Sequence, residues 1–125
     1  MKRAIRRLPD AELEVMQALW DCDIPATRAE IQEKLAISHP MALTTLLTLL
    51  SRLAEKGFLD IEKQGRGNCY TPKINRQDYL ASQSRRVLDQ LCGGNLATFA
   101  NALCDSGLTK EELQELRALL ERDAL

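Results

Sequence analysis

Apolar and polar positions along most of this 125-residue chain recur with the three-to-four-residue period of amphipathic helices. Leu13, Met16, Leu19 and Trp20 share one face. Pro9 precedes them, and Asp10 and Glu12 suit the positive end of a helix dipole, which predicts a first helix over 9–21. Asp23-Ile24-Pro25-Ala26 breaks the pattern and has room for a very short strand. Thr27 with Glu30 three residues on is a capping box that opens a second helix to Ala36, with Ile31 and Leu35 inward. After the turn Ile37-Ser38-His39-Pro40, a third helix starts within 40–43 and stops at Gly57. Spaced at about 100° per residue, Leu43, Leu46, Leu47, Leu49, Leu50 and Leu53 with Ala42 and Ala54 make an apolar arc, with Leu47 at its edge. Thr44, Thr45, Thr48, Ser51, Arg52, Glu55 and Lys56 make the opposite one. Its opening run of small hydroxyls is unlike the Lys/Glu mixture of an ordinary solvated helix, and such side chains can meet phosphates, base edges or a thymine methyl.

The period then changes. Phe58 to Lys63 alternates as a half-buried strand, with Phe58 or Leu59 and Ile61 toward the core. Gly65-Arg66-Gly67-Asn68 forms a tip, and Cys69-Tyr70-Thr71 returns as a second strand that Pro72 ends. Helix, short break, helix, turn, helix and hairpin is the order of a winged helix-turn-helix in a mainly α chain. Farther on, Asn75 with Asp78 can cap a helix to Cys92 that carries Leu80, Val87, Leu88 and Leu91. Gly93-Gly94 ends it. Asn95 opens a short helix bearing Leu96, Phe99, Ala100 and Leu103, and Thr109 with Glu112 caps a last one bearing Leu113, Leu116, Leu119 and Leu120. Three short stripes of this kind are too small to bury one another fully, so a second copy of the chain is expected to cover them. The expected organisation is a winged-helix DNA-binding domain over 1–74 and a helical dimerisation region over 75–125.

Charge alters this picture only locally. The net charge of −1 gives no support to nucleic-acid binding, but Lys2, Arg3, Arg6 and Arg7 cluster without an acid nearby. The candidate DNA contacts are Thr44, Thr45 and Thr48 for bases and Lys63, Arg66 and Asn68 from the wing. Arg52 and Lys56 would hold phosphates or intrachain acids, and Arg6 and Arg7 would touch backbone. His39, the one histidine, reads as a turn residue near phosphate rather than a metal ligand. No membrane insertion or signal peptide is expected, because no apolar run is long enough and the basic start leads into a charged helix. Cys22, Cys69, Cys92 and Cys104 lack CxxC or CxC spacing, which fits reduced thiols in a cytoplasmic protein. No cofactor or metal is expected, and no group of residues converges toward catalysis.

Several stretches carry a resemblance. Ala11-Glu12-Leu13-Glu14-Val15-Met16 with Leu19-Trp20, the run Thr44 to Leu53, Lys56-Gly57-Phe58, and Leu108 to Leu116 are similar to the penicillinase repressor (BlaI/MecI) family over roughly residues 8–122. The resemblance implies a cytoplasmic winged-helix repressor that dimerises through its C-terminal helices and binds an inverted-repeat operator in double-stranded DNA. It also implies release when a membrane-bound metallopeptidase receptor leads to cleavage of the C-terminal region. The position of Leu47 is usually polar in the family, so readout here rests on Thr44, Thr45 and Thr48, or on a thymine methyl meeting Leu47. The family's cleavage position falls at Asn101-Ala102, where Asn matches and the following Phe does not. The CxC pairs of copper-responsive relatives are missing. The alternatives are a winged-helix regulator gated by its cysteines through redox chemistry or metal, and an adaptor that uses the same fold to bind protein.

Overall fold

The computed structural model describes residues 5–123, so Lys2 and Arg3 of the basic N-terminal cluster lie outside the described residues. The chain runs α1 (Asp10–Trp20), β1 (Ala26–Thr27), α2 (Arg28–Ser38), α3 (Leu43–Glu55), β2 (Leu59–Gln64), β3 (Gly67–Pro72), α4 (Arg76–Arg86), α5 (Leu96–Asp105) and α6 (Lys110–Asp123). This is the mainly α winged helix-turn-helix the pattern predicts, followed by further helices. The break after α1 does hold a strand. Ala26 and Thr27 pair with Tyr70 and Cys69, which extends the hairpin to an antiparallel sheet ordered β1-β3-β2.

Local chemistry explains each boundary. The capping box forms: Thr27 Oγ1 accepts from the Glu30 N–H at 3.2 Å, and Glu30 Oε1 accepts from the Thr27 N–H at 2.9 Å. The Thr27 N–H and the Thr27 hydroxyl, both donating to Glu30 Oε1, hold the Glu30 carboxyl below its usual range. α3 ends in a Schellman turn. Gly57 takes φ +82°, the Phe58 N–H reaches the Leu53 carbonyl at 2.9 Å, and the Gly57 N–H reaches Ala54 at 3.1 Å. Phe58 thereby lands on Leu53, and both are buried. At the far end of the hairpin, Gln64 faces Gly67 and leaves Gly65-Arg66 as a two-residue loop. Gly65 supplies the positive φ of +63° that a glycine-first hairpin turn requires.

One inward assignment is corrected. Phe58 and Leu59 are both buried, whereas Ile61 is 37 % exposed. Only the first residue of β2 lies over the core; from Asp60 on, the strand projects into the wing, where both its faces meet solvent.

The contacts of the chain divide it into two compact units, residues 1–82 and 83–125. The start of α4 therefore belongs with the sheet and the first three helices, and Tyr79 shows why. Its ring is buried against Trp20 and Phe58 at centroid distances of 5.8 and 5.9 Å, and its hydroxyl accepts from the Leu8 N–H at 2.9 Å. Around it, the Trp20 indole N–H donates to the Ile74 carbonyl at 2.9 Å. The Arg76 guanidinium lies 5.6 Å from the Trp20 ring centroid and binds Asp21 at 2.7 Å. Tyr70 is the other buried aromatic, and the rest of the core of this unit is non-aromatic, from Val15, Met16 and Leu19 through Ile31 and Leu35 to the leucines of α3.

The second unit is built differently. The last turn after α4 widens over Val87–Leu91 into π geometry, with the Cys92 N–H reaching the Val87 carbonyl at 3.1 Å, and Gly93 and Gly94 follow with positive φ. Asn95 caps α5 through the Thr98 N–H, and Thr109 with Glu112 forms the capping box of α6. No residue of α5 or α6 is buried within a single chain.

Replacing Tyr79 with Phe keeps the ring but orphans the buried Leu8 N–H. The expected loss is about 1–3 kcal/mol in urea unfolding followed by circular dichroism. An unchanged midpoint would show that water satisfies Leu8 instead.

Candidate nucleic-acid interface

Four leucines fix the rotation of α3. Leu46, Leu49, Leu50 and Leu53 are buried against the rest of the first unit. Thr44, Thr45, Thr48, Ser51, Arg52 and Glu55 consequently face outward and are exposed. The structure thus brings Thr44, Thr45, Thr48 and Arg52 together on one helix surface. Thr48 Oγ1 donates back to the Thr44 carbonyl at 3.0 Å, which leaves its oxygen lone pairs and methyl for an outside contact.

Ala42 and two leucines of the expected apolar arc are exposed rather than in the core. Leu43 is 40 % and Leu47 41 % exposed. Leu47 lies round the helix from the four buried leucines, toward the threonines, and Leu43 is the first residue of α3, a turn ahead of the first of them. Leu47, placed at the edge of the arc on sequence, belongs beside the threonines.

The basic candidates separate. Lys56 turns away from the threonine surface and its ammonium binds Glu12 Oε1 at 2.6 Å, with side-chain exposures of 24 % and 5 %. Arg52 forms no ion pair among the described residues and stays exposed. On the wing, Arg66 occupies the two-residue loop. Lys63 and Asn68 face each other across the adjacent rung, which places Asn68 in the strand rather than at the tip. All three are exposed, as are Arg6 and Arg7, which precede the buried Leu8. His39, expected near phosphate, instead places Nε2 3.1 Å from Glu14 Oε1 and ties the turn before α3 to α1.

The cysteines are dispersed. Cys69 is buried, Cys22 and Cys92 are half-buried and Cys104 is exposed; all four are free thiols. Burial, reinforced by Glu30, Asp21 and Asp23 against the opposing pull of Lys34, pushes the Cys22 thiol up, so it is less readily ionised than an ordinary cysteine. Among the described residues no group of three or more His, Cys, Asp or Glu side chains is arranged to hold a metal ion, and no helix is long and apolar enough to cross a membrane.

The expected dimer contacts lie on the C-terminal helices in varied exposure. Leu80, Leu91, Leu96 and Leu120 are exposed, with Leu91 reaching 80 %, while Val87, Leu88, Phe99, Leu103, Leu113 and Leu116 are half-buried. Leu80 falls in the first unit rather than the second. Asn101 and Ala102 are both exposed, in the second turn of α5.

A hydroxyl-faced third helix beside a basic-tipped wing defines a winged helix-turn-helix protein. The comparisons make the class specific: a family model described as penicillinase repressor matches residues 8–122, and the chain belongs to that family, one of repressors rather than enzymes. The penicillinase repressor of Bacillus licheniformis is 36 % identical over 120 residues, covering 95 % of this chain and 93 % of its own. The methicillin resistance regulatory protein MecI of Mammaliicoccus sciuri is 27 % identical, over 92 % of this chain and 94 % of its own. A solution structure of the monomeric form of B. licheniformis BlaI in complex with the blaP half-operator superposes with a TM-score of 0.51 at 38 % identity, over 63 % of this chain and 94 % of that one.

Sequence reasoning missed the part played by Glu12, which reads there only as an acid favourable to a helix start. Its place three, four and seven positions before Val15, Met16 and Leu19, on the inward face of α1, was the available sign that it needs a buried partner. Lys56→Ala should cost about 3 kcal/mol, the low end for breaking a buried pair because Lys56 keeps some water contact. Glu12→Leu combined with Lys56→Met should recover most of it. Thermal and urea unfolding of the three proteins checks this, and equal loss in single and double variants would contradict it.

Proposed function

We propose that this chain is a homodimeric transcriptional repressor of the cytoplasm. Its α3 enters the major groove of each half of an inverted-repeat operator, and its wing lies on the flanking backbone. The observation that carries the reading is the surface of α3. Burial of four leucines on one side leaves an outward strip of Thr44, Thr45, Thr48 and Ser51, short side chains that let the helix approach base edges closely. Family membership and the half-operator bound by the similar BlaI structure support the same placement. Arg52 at the edge of that surface, Arg66 and Lys63 on the wing, and Arg6 and Arg7 before α1 would supply phosphate contacts and a salt-dependent affinity. Lys56 is excluded from that set by its bond to Glu12.

Dimerisation is supported by the apolar surface left over. α5 and α6 bury no residue in one chain, yet Leu96, Leu119 and Leu120 are at least 39 % exposed. A second copy covering those stripes would join two weak half-site contacts into one tight complex through effective concentration. Cleavage in the C-terminal region by a membrane-bound metallopeptidase receptor would then undo repression by uncoupling the halves. The Asn101–Ala102 bond is the candidate, and because it lies within α5 that helix must open locally before a protease can take it.

Two outcomes are expected. Thr44→Ala with Thr48→Ala should weaken binding to DNA from upstream of the gene by about 1–3 kcal/mol per half-site while sparing non-specific binding. Gel shifts with and without competitor DNA measure this, and an unchanged preference would return those threonines to a merely solvated face. Leu116→Asp should yield a monomer by analytical ultracentrifugation, with operator affinity reduced roughly 100-fold or more. A monomeric variant with full affinity would refute the dimer mechanism.

A further inference from the structure

We infer that the first two turns of α3 recognise thymine by its C5-methyl group, with Leu43 and Leu47 as the specificity-determining side chains; the inference rests on the operator-binding reading above. Residues 43–51 contain no Arg, Lys, Asn, Gln, Asp or Glu. No side chain of this stretch therefore offers the paired donors that grip guanine, the donor and acceptor that grip adenine, or the carboxylate that accepts from cytosine. Those are the residues of the helix that lead into a groove, since a recognition helix meets bases with its N-terminal part.

What the stretch presents instead is apolar. Leu43 and Leu47 stand one turn apart on the same strip, 40 % and 41 % exposed, although the sequence pattern places Leu43 within the apolar arc and Leu47 at its edge. Thr44 and Thr48 flank them. The donor of Thr48 is spent on the Thr44 carbonyl, so that hydroxyl has none left for a base and the side chain adds a methyl and an acceptor to the strip. The thymine methyl is the apolar group among the major-groove features that distinguish the bases, and two leucines beside threonine methyls are the surface that would desolvate it. Readout of this kind favours thymine and tells little about the other three bases. The operator half-site should accordingly be fixed at one or two thymines and loose around them.

The test uses the full-length protein. Duplexes enriched from a randomised pool are resynthesised with each thymine in turn replaced by uracil, which removes the methyl and keeps the pairing edge. Loss of one buried methyl is expected to weaken binding about fourfold, and loss from both halves of an inverted repeat about 15-fold. Leu47→Ala or Leu43→Ala should bind the thymine and uracil duplexes alike at the contacted position. An enriched sequence whose uracil substitutions all leave affinity unchanged would overturn the inference and leave the operator-binding reading standing. Failure to enrich any sequence would overturn that reading and the inference with it. Because the uracil comparison is made on the wild-type protein, a poorly folded leucine variant does not blur the result.

Discussion

On α1, a carboxylate with only 5 % of its side chain exposed meets the ammonium that closes α3, Glu12 to Lys56 at 2.6 Å. Each charge alone would be costly to hold away from water, and together they fix the distance between the two helices at one point. That point lies at the C-terminal end of α3, beside the Schellman turn that seats Phe58 on Leu53 and launches the wing. The pitch of α3, the outward direction of its threonines and the starting place of the hairpin thus share one anchor. His39 on Glu14 gives a lighter, more exposed tie at the other end, just before α3 begins. A hydrophobic contact could supply equal energy in either place, but it would tolerate sliding. A short ion pair does not.

Much of this architecture was legible in the sequence because its devices are local. Capping boxes at Thr27 and Thr109, asparagine caps at Asn75 and Asn95, and the glycine stop at Gly57 each depend on residues within three or four positions of one another, and all of them form. The leucine period of α3 found the four residues that set its rotation, and so found the threonine surface.

What stayed hidden depends on how far neighbouring elements reach. Period alone cannot tell that Leu43 and Leu47 lie beyond the cover of the helices behind them, nor that β2 leaves the core after Leu59. It cannot choose among partners for Lys56 either, since the residue that wins lies 44 positions away in the chain, with charged competitors much nearer. The extent of the first unit was hidden for the same reason. Asn75 looks like the start of something new, yet Tyr79 just beyond it completes the older core.

That last contact has a consequence for the order of events as the chain is made. Leu8 and Tyr79 are 71 residues apart and share a buried hydrogen bond, so the two ends of the unit are stitched to each other. A growing polypeptide emerges N-terminus first, and contacts between distant segments must wait for the later one. Helices α1 to α3 and the hairpin can assemble early, but the seat for Tyr79 between Trp20 and Phe58 stays open to water until the start of α4 has left the ribosome. The unit is then closed by a residue that belongs to the next helix.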